Sequence, residues 1–461
     1  MRKPYILICI IFKLGTITTI AQYNVLLNFN GANGSQPLGS LVLNGNILYG
    51  MTDDGGANNY GCIFSIDTNG NRYEDLHDFV GIDGEYPHGS LVISGSKLYG
   101  MTINGGLDTG GCIFSIDTNG GNYNKIFDFN DSTGSNPEGS LIVSSGKLFG
   151  MTEAGGLYGY GTIFSIDTNG SQYKDLLDFN GTNGATPFGA LIISGSKLFG
   201  MTARGGANFQ DGCIFSIDTS GSGYKDLNDF NGVNGKSPYG ALVINGNLLY
   251  GMTYVTKNGG GCVFSIDTNG NGYKRLYVFS LATGDTPYGS LILSNNTLYG
   301  MTWQGGTNGD GTIFSLDTNG NGYKNLFDFD GINGEYTHCS LTMAGSTLFG
   351  MATGGGTFND GVVFKIDTNT VASVNELNAD SKDSKVYPSP STGIFILQSN
   401  SVNINSSVEI YNMFGEKIYT AKLKAINNQI DLANNAAGVY LYRVLTETGS
   451  LISTGKVVIQ K

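Results

Sequence analysis

The stretch Ile47-Leu48-Tyr49-Gly50-Met51-Thr52, followed after a loop by Gly61-Cys62-Ile63-Phe64-Ser65-Ile66-Asp67-Thr68, decides the fold. The string Leu-(Tyr/Phe)-Gly-Met returns with its methionine at 51, 101, 151, 201, 252, 301 and 351, a period of about 50 residues. Gly-x-(Ile/Val)-Phe-x-(Ile/Leu)-Asp-Thr returns from Gly61, Gly111, Gly161, Gly212, Gly261, Gly311 and Gly361. A third string, Tyr-x-x-(Leu/Ile)-x-x-Phe, starts at Tyr73, Tyr123, Tyr173, Tyr224, Tyr273 and Tyr323, and its seventh copy stands first in the chain, Tyr23 to Phe29. A fixed period of this length is the signature of a repeat architecture.

Each unit reads as four short strands. In the first, strand a covers 40–43, strand b 47–52, strand c 62–67 and strand d 73–79. Asn44-Gly45 joins a to b and Asn69-Gly70 helps join c to d, turns that match strand twist. Ile63 and Phe64 point to opposite faces, as do Leu76 and Phe79, so c and d are covered on both sides. Four-stranded sheets stacked face to face around an axis make a β-propeller. The displaced seventh d string supports this. The last unit has a, b and c and lacks d, so 23–29 completes it and closes a ring. An open β-solenoid has no reason to split a unit between its ends. The expected fold is all-β, a seven-bladed propeller over 22–369. Gly50 and its equivalents inside strand b mark a bulge or a close approach of backbone. Six of nine prolines (37, 87, 137, 187, 238, 287) sit at one position in the d–a loop and fix φ before strand a.

The unit P-x-G-S-L…L-(Y/F)-G-M-T-x-x-G-G…G-x-I-F-x-I-D…Y-x-x-L-x-x-F resembles the GloVer tandem repeat of exported bacterial proteins. The resemblance covers 23–369 and supplies architecture rather than chemistry.

Composition agrees. Seventy-two glycines, 26 tyrosines and 25 phenylalanines with 13% charged residues describe many short strands and tight turns. A net charge of −12 without a Lys/Arg cluster argues against nucleic acid. No internal stretch is apolar over the ~20 residues that span a bilayer, so no transmembrane span is expected in the mature chain. Residues 1–21 read as a secretory signal peptide: Arg2 and Lys3, then Tyr5 to Phe12, then Thr19-Ile20-Ala21. The bland reading is a short buried strand. Ile8 before Cys9 is too large for a lipidation site.

After Asp367 the pattern changes. Residues 370–385 read as a polar linker. Alternating apolar runs over 386–461, beginning Val386-Tyr387-Pro388-Ser389-Pro390, read as a β-sandwich of about seven strands. This segment resembles the type A C-terminal sorting domain of the type IX secretion system, with Ser389 where the family has Asn. The resemblance implies the secretion machinery as partner, passage across the outer membrane, and a secreted or surface-attached product.

Chemistry is sparse. Cys62, Cys112, Cys213 and Cys262 share a strand-c position with Thr162, Thr312 and Val362, which marks a small buried residue. No His/Cys spacing suits a metal, and no metal, cofactor or catalytic residue is assigned. Asp67-Thr68-Asn69-Gly70 and its copies have a calcium-loop or Asp-box look, but a turn aspartate bonding backbone explains them. The informative positions are those where the repeats differ. The residue after the loop proline, or after Thr337 in the seventh repeat, is Leu38, His88, Glu138, Phe188, Tyr239, Tyr288 or His338, near the axis on the face of the long loops. The b–c loops vary too: Asp53-Asp54, Arg204, Tyr254, Trp303-Gln304 and Phe358. A common scaffold with varied loop tips builds binding faces. His88, Glu138, Phe188, Tyr239, Tyr288, Trp303 and His338 are the candidate ligand-binding residues, for a surface glycan or a protein. A polysaccharide-active enzyme at the axial mouth, with Glu138 and His88 or His338 as acid and base, is the alternative. A purely structural surface protein is the third.

Overall fold

A two-residue turn bends each a–b hairpin. Gly45 and its equivalent Asn295 hold φ near +62° and +54° at the first central position, so glycine opens the turn rather than closing it as the Asn-Gly reading had placed it. The computed structural model describes residues 22–208, 210–368, 384–399, 406–412, 416–446 and 451–461. The segment read as a signal peptide and all but the last two residues of the expected linker lie outside them. The described residues fall into two compact units, 22–368 and 384–461.

The first unit is seven four-stranded antiparallel sheets in chain order. Blade 1 runs a (Val42–Asn44), b (Ile47–Thr52), c (Cys62–Asp67) and d (Glu74–Asp78). Blades 2 to 6 repeat it. Blade 7 takes its d strand from the front of the chain: Gln22–Asn28 pairs with Val362–Asp367, from Gln22↔Asp367 to Asn28↔Val362. Phe29 and Phe364 of blade 7 share one core cluster with Phe64 and Leu41 of blade 1, so the last and first blades pack together. The chain forms a closed seven-bladed propeller.

Strand a is shorter than expected. Residues 40 and 41 leave the a–b ladder and run along the axis, where their polar groups turn to the neighbouring blade. The c–d pair carries the bulge, with the register slipping between Ile63 and Phe64 so that Leu76 is the extra residue. That slip overturns the expected alternation on strand d. Leu76 and Phe79 both pack toward blade 2, while Ile63 and Phe64 do face opposite neighbours. Gly50 is no bulge either: a Cβ there would stand 2.6 Å from the Phe64 ring, so glycine makes room for the phenyl that covers it.

Two sets of contacts tie blade to blade. On the outside the tyrosine opening each d string donates to the turn of the preceding blade: Tyr73 to Asn33 O (3.0 Å), Tyr123 to Asp83 O (2.7 Å), Tyr173 to Thr133 O (2.6 Å), and across the closure Tyr23 to Asn333 O (2.5 Å). At the axis the backbones touch. A Cβ on Gly39 would lie 2.2 Å from Gly89 O, and the same holds at Gly89, Gly139, Gly189, Gly240 and Gly289, at 2.1 to 2.3 Å from the next carbonyl. The strand-c cysteines are buried and free, as is Cys339.

The second unit has two sheets with described strands Ser384–Tyr387, Ile394–Ser399 and Asn427–Asp431 in one, and Ser407–Tyr411, Lys417–Lys422, Gly438–Leu445 and Leu451–Ile459 in the other. Phe395, Leu397, Val408, Ile410, Ile430, Tyr442, Val444 and Val457 form its core. Its first strand opens at Ser384, inside the segment read as linker.

Candidate functional site

Strands b and d run toward one face and a and c away from it, so the long b–c and d–a loops share that face. Bridges such as Ser35↔Asp54 and Glu85↔Asn104 lock each d–a loop onto a b–c loop. The loop proline, replaced by Thr337 before the seventh blade, then delivers one side chain per blade to the axis. Leu38, His88, Glu138, Phe188, Tyr239, Tyr288 and His338 all line one cavity of about 330 Å³. Trp303 does not. It stands beside the wall, with ring centres 5.7 Å from His338, 6.4 Å from Tyr254 and 5.8 Å from Tyr336.

The wall has two halves. One is an arc of rings. Phe188 meets Tyr239 edge-on at 5.0 Å, Tyr239 stacks on Tyr288 at 4.5 Å, and Tyr288 meets His338 edge-on at 4.6 Å. Tyr254 backs Tyr239 edge-on at 5.2 Å. Such geometries add attraction beyond area burial and fix the rings in place. Burial pushes the Tyr288 phenol above its ordinary range, and the Glu138 charge adds to it.

The other half is charged. His88 Nδ1 lies 2.5 Å from Glu138 Oε2 and Nε2 lies 2.9 Å from Asp53 Oδ1. The first contact is an aligned hydrogen bond; the second is an ion-pair contact off the line of the N–H. Three blades meet in this cluster. Burial alone would lower the His88 pKa, but the two carboxylates overcome it and push it up to about 10. His88 is therefore an imidazolium at neutral pH. His338 is the opposite case. Burial takes it down to about 4. The Thr353 hydroxyl donates to Pro37 O at 3.0 Å, so its oxygen accepts from His338 Nδ1–H at 3.1 Å. The acid/base set read from the sequence thus resolves into one pair, Glu138 with His88; His338 sits among rings.

Asp53, Glu153 and Tyr254 are parts of the site that the sequence reading did not choose. Each follows the threonine that ends strand b, the position of Trp303, so a column of residues after that threonine was the available signal. Glu153 lies above the ordinary carboxylate range through burial and the Glu138 charge, with Arg204 opposing.

Among the described residues Cys62, Asp75 and Asp78 bring donor atoms within 4.8 Å of one another. Burial pushes the Cys62 thiol up to about 12, and Asp78 Oδ1 already accepts the Ala57 N–H at 2.9 Å. The cluster is explained as loop anchoring and carries no metal assignment. The turn aspartates behave as turn aspartates: Asp67 Oδ1 accepts the N–H groups of Asn69 (2.8 Å) and Asn71 (2.9 Å).

The Gloeobacter/Verrucomicrobia repeat model matches residues 9–208, 132–259 and 194–400. The chain belongs to this repeat family. A secretion system C-terminal sorting domain occupies 385–460 of this repeat protein, which marks it as secreted or surface-exposed by the type IX route. No curated protein matches the chain. Several solved structures are similar to it. PorZ, a surface component of the type IX secretion system of Porphyromonas gingivalis, is 14% identical over 95% of this chain and 61% of its own (TM-score 0.47). A xyloglucanase from Xanthomonas campestris is 11% identical over 82% of this chain and 59% of its own (TM-score 0.50). An oligogalacturonate lyase is 11% identical over 75% and 93% (TM-score 0.49). The repeat protein spans about three fifths of the length of the first two, and the xyloglucanase likeness speaks for fold alone. Among the described residues no helix is long and apolar enough to cross a membrane.

Proposed function

We propose that this repeat protein, exported on the signal 1–21 and carried outward by its sorting domain, displays a propeller that binds carbohydrate at the axial mouth. The carrying observation is the arc Phe188–Tyr239–Tyr288–His338 facing Glu138 across a cavity of about 330 Å³. Ring faces stack on the apolar faces of sugars. The Tyr239 and Tyr288 hydroxyls make no hydrogen bond among the described residues, and with the Glu138 carboxylate they suit sugar hydroxyls. The walls are pre-organised by their mutual packing, which lowers the ordering cost of binding. Acid–base turnover draws less support. A His88 held charged up to about 10 cannot accept a proton at neutral pH.

A glycan array probed with the full-length protein tests the reading. Binding to a glycan subset that falls at least tenfold with Tyr288→Ala, and less with Trp303→Ala, is expected. No glycan bound, or binding indifferent to both substitutions, overturns it. Glycan cleavage abolished by Glu138→Gln would instead favour the enzyme.

A further inference from the structure

Two residues beyond each axial side chain, a backbone N–H points across to the next blade. Ser40 N donates to Ser90 Oγ (2.8 Å), Ser90 N to Ser140 Oγ (2.8 Å), Ala241 N to Ser290 Oγ (2.7 Å), Ser290 N to Ser340 Oγ (2.7 Å) and Ser340 N to Ser40 Oγ (2.8 Å). This belt of hydroxyl acceptors circles the cavity and lapses at two consecutive places, because residues 190 and 241 are alanines. The N–H groups of Ser140 and Ala190 then have no acceptor among the described residues. Both residues line the axial cavity and are half-buried. A backbone donor there takes its acceptor from whatever occupies the cavity.

The neighbourhood narrows what that is. Glu138, two residues before Ser140, spends Oε2 on His88, and Oε1 has no protein partner among the described residues. The same stretch of wall carries the Phe188 ring and the Ala190 methyl. It therefore offers open N–H donors, an acceptor oxygen and apolar surface side by side. An acetamido group is the complement: a carbonyl that accepts, an N–H that donates and a methyl. A carboxylate would also accept from the two N–H groups, but it would face the Glu138 carboxylate, which repels it.

Building on the carbohydrate reading, we propose that the cavity selects glycans bearing N-acetylated amino sugars, the acetamido carbonyl filling the acceptor place left beside Ser140 and Ala190 and its N–H donating to Glu138. The two alanines set specificity by what they omit. A site built to pair a polar group rejects ligands that lack it.

The test is calorimetric titration of the full-length protein with tri-N-acetylchitotriose, cellotriose and trigalacturonate, repeated on Ala190→Ser and on the double variant Ala190→Ser/Ala241→Ser. Serine at these places restores the hydroxyl that five other blades hold, so folding is retained, and thermal unfolding verifies it. The wild type is expected to prefer the N-acetylated sugar at least tenfold over cellotriose. The double variant loses that preference and unfolds at the same or a higher temperature. Equal affinity for tri-N-acetylchitotriose and cellotriose, a preference for trigalacturonate, or a preference untouched by the serines overturns the proposal while leaving carbohydrate binding in place. No binding of any of the three sugars overturns both.

Discussion

At the level of single residues, His88 shows how three blades share one charge. Its imidazole holds its proton up to about 10 in the fold and titrates near 6.5 once unfolded. The folded value is the higher one, so its stabilisation is complete below pH 6.5 and is lost as pH rises through about 10. The gap in melting temperature between wild type and His88→Gln should therefore be widest at pH 6 and shrink by pH 10.5. A gap that ignores pH would make His88 a neutral spacer. Phe164 is fully buried under Gly150, and Phe164→Ala should cost about 3–5 kcal/mol by denaturant titration. The sequence announced Phe164 because it recurs seven times. The His88 partnership was illegible for the opposite reason: Asp53 and Glu138 each occur once at their repeat positions and histidine only twice at its own, on three separate loops, and only the ring geometry makes them neighbours.

Strands c and d set a second pH effect. Asp75, Asp175 and Asp226 each sit beside a second aspartate across the bulge, and desolvation with that neighbour's charge pushes each up to about 6. Here an acid is raised above its unfolded value, so the fold holds protons more tightly and stability falls as pH climbs from about 4 through 6. Asp75 is largely exposed, so solvent screens the effect and it stays modest. Replacing all three by Asn should raise the melting temperature at pH 8 and leave it nearly unchanged at pH 4; equal shifts at both would rule out charge as the cause. Blade 6 already carries this remedy, with Asn325 Nδ2 donating to Asp328 Oδ1 at 2.9 Å. Strand boundaries show where pattern reading stops. The apolar run Ser40–Leu43 looks like one strand, yet its first half serves the axis, because the N–H of residue 40 goes sideways to Ser90 and not to strand b. The bulge at Leu76 was hidden too, since one inserted residue leaves the apolar spacing of Tyr73, Leu76 and Phe79 intact while changing which way they face.

For the whole molecule, the displaced d string was enough to foresee the ring, because a unit divided between two ends of a chain has only one place to be reunited. Deleting 23–29 should strip strand c of blade 7 of its partner, open the contact with blade 1 and lower the melting temperature of the propeller, with a broadened transition by circular dichroism. A deletion as stable and cooperative as the parent would argue against closure. Removing 385–460 should keep the protein out of the medium and off the cell surface, as read by fractionation and surface labelling. The closure also governs time. Tyr23 and the carbonyl it bonds are 310 residues apart in sequence, so nearly all of the propeller must exist before the seal can form. Loop closure over that span is entropically costly, and contacts so distant slow folding. Six blades can assemble from neighbours alone, while the seventh waits with a bare edge. Sealing is the expected rate-limiting step of maturation, and its clock is the length of the chain.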